Sequence, residues 1–411
     1  MAEAEIESVE DFRLRARAWI QANLSPLTGA QRSEEDTRRH DAELQAKIYD
    51  AGFAGLPVPK AYGGQGLTIE HQRIWALETA GYDTPTSYFV SIGMMLPTLL
   101  DHGTEAVKTR HIPRMLRGEE SWIQLLSEPS GGSDMAGVLT RATPAGDGGY
   151  VLNGSKMWSS SADWSHYGIC LARVNWNAPK HQGLGMFAVN LKGEGVTINP
   201  ITPVTGGAAH QFIEYFDNVR IDPEYVLAEE GMGWTVANRL LLHERNANAG
   251  IAYGYGLGGG QADRDSRGGR DALGVAARYG ALHDPALRDL IVDDHVDGEV
   301  RAQLAERISA GQKSGKLQGQ WGSLLKLGQG IDGPARAEAG LAASGADGVI
   351  WTGLNRGGDP GDYWLQVRGH SIAGGSNEIQ RNIISERLMG LPREPGQDNS
   401  RPFSELAQKP G

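Results

Sequence analysis

Cysteine is almost missing from this chain: Cys170 is the single one among 411 residues. That excludes an intrachain disulfide and a cysteine-cluster metal site, and it fits a reducing compartment, so a cytoplasmic protein without a metal is expected. No apolar run approaches the ~20 residues of a membrane span, so no membrane role is expected. The start, Met1 to Glu7, is acidic and has no apolar core, so no signal peptide is expected. Positive charge is in deficit too, with 39 Lys and Arg against 50 Asp and Glu and a net charge of -11. Nucleic-acid binding, which needs a basic surface to neutralise phosphates, is thereby disfavoured. A local basic pocket for a phosphorylated ligand remains compatible. Internal repeats and coiled-coil heptads are lacking.

Glycine, by contrast, is abundant: 57 residues, about twice the usual share of ~7%. The length allows two or three domains, or one large one, with a sizeable core. Residues 9–120 read as helices: Phe12, Leu14, Ala18, Trp19 and Ile20 recur at near-helical spacing, and further runs cover Ile69 to Gly81 and Ser91 to Gly103. The prolines and glycines of Gly55 to Gly66 mark a loop. Residues 121–228 carry short apolar or alternating runs, as a small β-domain does, with Cys170 a buried strand residue. From Gly233 helical periodicity returns, in Trp234 to Tyr253 and in later helices of a bundle. Gly254 to Gly269 reads as a loose linker.

Two stretches carry the chemistry. Leu125-Leu126-Ser127-Glu128-Pro129-Ser130-Gly131-Gly132-Ser133-Asp134 joins an apolar run to a glycine-rich loop. It is either a polar turn or a loop whose exposed N–H groups let a polar ligand approach the main chain. Further on, Asn153-Gly154 lies between Tyr150-Val151-Leu152 and Lys156-Met157-Trp158 and predicts a tight hairpin turn. The following strand would deliver Trp158 and hydroxyls. Together these resemble the T-E-P-x-x-G-S-D loop and G-x-K-x-W-I-T strand of the acyl-CoA dehydrogenase family, with Ser127 and Ser160 where threonine is usual.

On the helix from Trp234, Ala237, Leu240, Leu241, Glu244, Ala247, Asn248 and Ile251 form one stripe, and Glu244 is its only acid. Such a carboxylate either pairs with Arg239, Arg245 or another cation, or is desolvated toward a general base. Leu242-His243-Glu244-Arg245 resembles the L-x-E-R segment of isovaleryl-CoA-type dehydrogenases, which makes Glu244 the catalytic base and Arg245 a coenzyme A contact. The commoner family pattern places the base in E-G-T-x-x-I-Q-R near the C-terminus. Here that stretch is Gly374-Gly375-Ser376-Asn377-Glu378-Ile379-Gln380-Arg381, with Gly374 at the base position and Glu378 as second candidate. Asn377 to Gln380 predicts a capping box and a helix start able to hold a flavin phosphate.

The resemblance covers about Val9 to Pro395. It implies a mainly α fold with a central β-domain: an N-terminal helical domain (1–120), a β-barrel domain (121–228), a C-terminal four-helix bundle (229–395) and a tail (396–411), assembled as a tetramer. It implies FAD as cofactor and α,β-dehydrogenation of an acyl-CoA in lipid metabolism, with an electron-transfer flavoprotein as acceptor. Gln124, Leu126, Ser127, Ser133, Trp158, Ser159, Ser160, Arg278, Ser376 and Glu378 would contact the flavin. Ser133, Arg245, Gly374 and Gly375 would contact the substrate, Gly374 through its N–H on the thioester oxygen. Two family segments depart from pattern. The R-x-x-F-G arginine is displaced by two residues to Arg278 or lost, and Q-x-x-G-G-x-G is not recognisable in Gly345 to Gly369. A subunit sharing flavin sites with a paralogous chain, or an oxidase of the same fold, is the alternative.

Overall fold

The computed structural model describes residues 6–27, 32–204, 211–248, 272–317, 319–350, 360–393, 395 and 400–407. They fall into two compact units, one within Met1–Ile201, Ala209–Gly258 and Gly396–Gly411, the other within Thr202–Ala208 and Gly259–Pro395.

The first unit opens with helices α1 (Val9–Asn23), α2 (Glu34–Asp50), α3 (Ile69–Glu78), α4 (Leu96–His102) and α5 (Glu105–Arg117). Ser8, Ser33 and Thr104 cap α1, α2 and α5 by accepting N–H groups of the first turn. Phe12, Ala16 and Ile20 then bury one face of α1. The helical run expected from Ser91 begins as a π-turn, Ser91–Met95, before α4.

Among the described residues eight strands follow: β1 (Trp122–Leu125), β2 (Arg141–Pro144), β3 (Tyr150–Ser160), β4 (Tyr167–Arg173), β5 (Leu184–Asn190), β6 (Val196–Pro200), β7 (Gln211–Ile221) and β8 (Val226–Ala228). They form one sheet in the order β6-β7-β3-β2-β4-β5-β8, with β1 parallel to β4. Alternate residues feed two cores. Trp122, Ile169, Leu171, Met186 and Ala188 pack with the N-terminal helices, whereas Ile123, Leu125, Cys170, Phe187 and Val189 face a second cluster with Phe212 and Phe216 of β7. Burial on both faces is why β4 and β5 read as continuous apolar runs. Strands β5 and β7 are not neighbours in the sheet yet share that second core, so the sheet curves around it.

Helix α6 (Gly233–Asn248) closes this unit's main run. The helical pattern expected up to Tyr253 and the linker Gly254 to Gly269 lie, beyond Asn248, outside the described residues. A short C-terminal helix, α12 (Phe403–Leu406), also belongs here: its Phe403 ring covers the buried Arg173 guanidinium at 3.8 Å.

The second unit holds α7 (Ala272–Arg278), α8 (Pro285–Lys313), α9 (Gly322–Ser344), α10 (Pro360–Gln366) and α11 (Asn377–Ile383). Ala272, Val275, Ala276, Ile291, Ala339 and Ala343 make its core. Small side chains let α7, α8 and α9 approach closely, and Asp294 ties them together by accepting from Arg336 at 2.7 Å and from Ala272 N at 2.9 Å. Among the described residues no helix is long and apolar enough to cross a membrane.

Candidate active site

The loop after β1 is fastened at both ends. Glu128 and Gly131 exchange backbone hydrogen bonds of 3.2 and 3.0 Å, which closes a tight turn around Pro129 and Ser130. A Cβ at Gly132 would lie 3.1 Å from Ser127 Oγ, so glycine lets the loop close tightly on its own root. Ser133 is exposed, and the Asp134 carboxylate takes the Lys180 ammonium at 2.5 Å.

Beneath the loop is a buried ion pair. Lys156 Nζ donates to Glu128 Oε1 at 2.8 Å and to Leu126 O at 3.1 Å. Glu128 also accepts from Leu139 N at 2.6 Å and Thr140 N at 2.9 Å. Burial alone would raise the Glu128 carboxyl, but the Lys156 charge and these donors outweigh it and hold the group below the usual carboxylate range. Met157 N donates to Ser127 O at 2.9 Å. The loop and β3 are therefore joined, with Leu126 bonded to Lys156 and Ser127 to Met157, the residue before Trp158.

The expected hairpin at Asn153-Gly154 is not formed. Strand β3 runs unbroken from Tyr150 to Ser160 against β7, with a register shift between Leu152 and Gly154. Gly154 has φ +141° and sits where a Cβ would be 2.7 Å from Thr140 Cα, so the glycine serves a bulge and a close approach of chains rather than a turn. A second register shift separates Met157 from Ser159. Between them Trp158 takes φ +70°, a left-handed conformation rare for a bulky residue, and its indole is 53% exposed. Ser160 is exposed as well, whereas Ser159 turns inward and donates to Glu214 Oε2 at 3.0 Å. Local backbone strain of this kind, on an exposed aromatic, is where ligand-facing geometry is found.

Helix α6 places Glu244 on its apolar face, 9% exposed, with Ala237, Leu240 and Ala247 buried. These three belong to the same apolar cluster as Leu126 at the root of the loop. Of the cations weighed as partners for Glu244, Arg239 donates Nε to Asp101 of α4 at 2.5 Å, and His243 Nε2 lies 2.8 Å from the same carboxylate. Arg245 is half-buried in the last turns of α6. Of the remaining stripe, Ile251 lies outside the described residues.

The other expected residues belong to the second unit. Ser376, not Asn377, caps α11, with its hydroxyl accepting from Ile379 N at 3.4 Å. The expected capping box is thus absent, because Gln380 Nε2 turns back to Gly374 O at 3.0 Å and Gly375 O at 3.3 Å. Gly374 and Gly375 hold φ values of +66° and +91°. Glu378 is exposed; its own backbone N–H and the Ser376 hydroxyl hold its carboxyl below the usual range, which makes it a poor base. Arg278 is exposed at the end of α7, with its guanidinium 5.3 Å from the Tyr279 ring. Residues 351–359 of the glycine-rich segment lie outside the described residues.

Sequence reasoning passed over Glu214. It lies on β7 between Phe212 and Phe216 at period two, a carboxylate on an inward-facing row, and that spacing was the available signal. It is wholly buried, and burial pushes it up to about 8, more than the Ser159 donor and the Lys156 charge bring it down.

A helical N-terminal segment, a curved sheet bearing a glycine-rich loop and an exposed tryptophan, a carboxylate on the next helix and a helical C-terminal unit follow one another along the chain. Three family models match in succession: the acyl-CoA dehydrogenase N-terminal domain over residues 7–119, the middle domain over 124–219 and the C-terminal domain over 231–389. The chain belongs to the acyl-CoA dehydrogenase family, whose members are FAD-dependent oxidoreductases acting on acyl-CoA. It is 31% identical over 409 residues to acyl-CoA dehydrogenase IpdE1 of Mycolicibacterium smegmatis, covering 94% of this chain and 98% of that one. Among solved structures it resembles the Tcur3481-Tcur3483 steroid ACAD at 26% identity and TM-score 0.72, over 96% of this chain and 100% of that one. The ChsE4-ChsE5 complex from Mycobacterium tuberculosis shares the fold, with 23% identity, TM-score 0.70 and coverage of 96% and 100%.

Proposed function

We propose that this chain oxidises the α,β bond of an acyl-CoA thioester to the trans-2-enoyl-CoA, with Glu244 as the base that takes the α-proton. The observation that carries the reading is Glu244 itself, a carboxylate 9% exposed on the apolar face of α6, in a chain whose alternative base position is Gly374. A carboxylate already shielded from bulk water meets a carbon acid without first shedding a full hydration shell.

The Trp158 region fits FAD: an exposed indole offers a flat apolar face, with the exposed Ser160 following it and the exposed residues of the glycine loop joined to the same strand through Ser127 and Met157. FAD, when bound, supplies the acceptor for the β-hydride. Trp158 would pack against it and Ser160 would donate a hydrogen bond, with Gln124, Leu126, Ser127, Ser133 and Ser159 around it. Ser133 and Arg245 are assigned to the thioester and coenzyme A portion. For Gly374, Gly375, Ser376, Glu378 and Arg278 the family pattern alone proposes ligand contacts. We also assign three domains, 1–120, 121–228 and 229–395, followed by a tail, and a cytoplasmic location.

Electron-transfer flavoprotein is the proposed acceptor, and the assembly is a tetramer of this chain or of this chain with a paralogue. The second arrangement is favoured by the likeness to a steroid ACAD described under two paired names, and by the altered flavin segments. The same likeness makes ring-bearing acyl thioesters the first substrates to test. Substituting Glu244→Gln should leave FAD content unchanged and abolish bleaching of the flavin by acyl-CoA. Bleaching at the wild-type rate would remove Glu244 from the role.

A further inference from the structure

Glu214 takes no part in the chemistry proposed above, yet it is a fully buried carboxyl directly behind the Trp158 segment. In the ladder it stands opposite Lys156 on β3 and Ile198 on β6. Its Oε2 accepts from the Ser159 hydroxyl at 3.0 Å, and its Oε1 is buried without a hydrogen-bond partner among the described residues. The Lys156 ammonium, whose charge acts on Glu214, is engaged by Glu128 at 2.8 Å and Leu126 O at 3.1 Å. Cys170 on β4 completes the group, its thiol pushed up to about 12 by burial. The ionisable groups facing Glu214 are thus an ammonium and a carboxylate that balance each other, and a neutral thiol. Apart from the Ser159 hydroxyl, a second carboxylate there would have only an ammonium already shared with Glu128, too little to offset its burial.

Ser159 follows Trp158 directly across the β-bulge, and Trp158 and Ser161 both hold left-handed backbone, at φ +70° and +65°. Such a segment keeps its shape only if its neighbours over-determine it. The inward Ser159–Glu214 hydrogen bond is the side-chain tie at the bulge, and it decides which residues of the segment point out.

We propose that Glu214, held as the neutral acid, is a positioning residue that pins Ser159 and so fixes the outward stance of Trp158 and Ser160, and that its ionisation loosens this face. A carboxylate at Glu214 would draw water between β3 and β7, and the bulge is the place where the ladder opens most easily. The step from this face to cofactor affinity rests on the flavin reading given under the proposed function.

Two readouts separate the inference from that reading. In the first, FAD affinity of the full chain is titrated against pH for the wild type, Glu214→Gln and Ser159→Ala. The wild type should weaken about tenfold per pH unit above a midpoint near 8. Glu214→Gln should be flat with pH, and Ser159→Ala weaker at every pH, with threonine at 159 restoring affinity. The second uses the protein without flavin. Amide hydrogen exchange of peptides spanning Met157 to Ser161 is compared between wild type and Glu214→Gln at matched pH, so that intrinsic rates cancel. The wild-type to variant ratio should rise by about tenfold between pH 7 and pH 9. A constant ratio overturns the inference, as does an unchanged pH profile in Glu214→Gln. A rising ratio in a chain that binds no FAD at any pH would retain the positioning role and defeat the flavin reading instead.

Discussion

Lys156→Met removes the ammonium that lies 2.8 Å from Glu128, in a pair whose side chains are 0% and 4% exposed. Methionine fills similar volume, so the change is almost purely electrostatic. Breaking a buried pair by deleting one partner costs about 3–5 kcal/mol, because the remaining charge is stranded. Glu128 keeps the Leu139 and Thr140 amide donors, which argues for the lower end, while the lost Lys156 to Leu126 O hydrogen bond adds about 1 kcal/mol. A net loss of about 3–4 kcal/mol follows. For a unit of this size that corresponds to a melting temperature lower by about 6–12 °C. Calorimetry or near-UV melting of the first unit measures it, and Glu128→Gln in the same background should recover most of the loss. The pH sign is fixed too. The wild-type Glu128 carboxyl is held low, so the unfolded chain binds the proton more readily. That contribution is full above the ordinary carboxylate pKa and disappears as pH falls through the folded value. The penalty of Lys156→Met should therefore shrink toward about pH 4. A single variant melting within about 2 °C of wild type would refute the buried-pair reasoning.

Glu214 carries the opposite pH sign: raised from its ordinary 4.5 to about 8, it leaves the folded chain holding a proton that the unfolded chain releases. Stability should fall as pH rises from the ordinary 4.5 to about 8, by up to about 5 kcal/mol at about 1.4 kcal/mol per pH unit, and melting of Glu214→Gln across that same range should lack the decline. Trp158→Ala should lose FAD on dialysis, read from the visible absorbance per chain. Phe403→Ala uncovers the buried Arg173 guanidinium and removes a ring 3% exposed, so melting of the first unit should drop by about 3–5 kcal/mol, and full retention of stability would show that the C-terminal helix is not integral to it.

The parts of the fold governed by local pattern were readable from the chain. Of the residues read at near-helical spacing in α1, Phe12 and Ile20 are buried whereas Leu14 and Ala18 are exposed and Ala16 takes the place between, and the apolar runs of β4 and β5 announce strands. The carboxylate on the apolar stripe of α6 was readable for the same reason, since a periodicity of 3.6 places Glu244 among Ala237, Leu240 and Ala247 without knowledge of any neighbour. Asn153-Gly154 misled because a dipeptide reports which backbone angles are accessible, not why they are needed. Gly154 adopts a positive φ as a turn glycine would, but the cause is Thr140, just before β2, 2.7 Å from where its Cβ would be.

The charged interior was out of reach for a related reason. Glu128 and Lys156 are 28 positions apart, and Ser159 and Glu214 are 55 apart, and only the sheet brings each pair together. These pairs make the interior behind the Trp158 face a single electrostatic unit. Lys156 stands between an ionised Glu128 and a protonated Glu214, so removing its charge leaves Glu128 stranded and makes ionisation of Glu214 harder still. Lys156→Met should therefore move the alkaline transition assigned to Glu214 upward even as it destabilises the loop. That displacement separates coupled charges from two independent structural contacts, because independent contacts would leave the transition where it was.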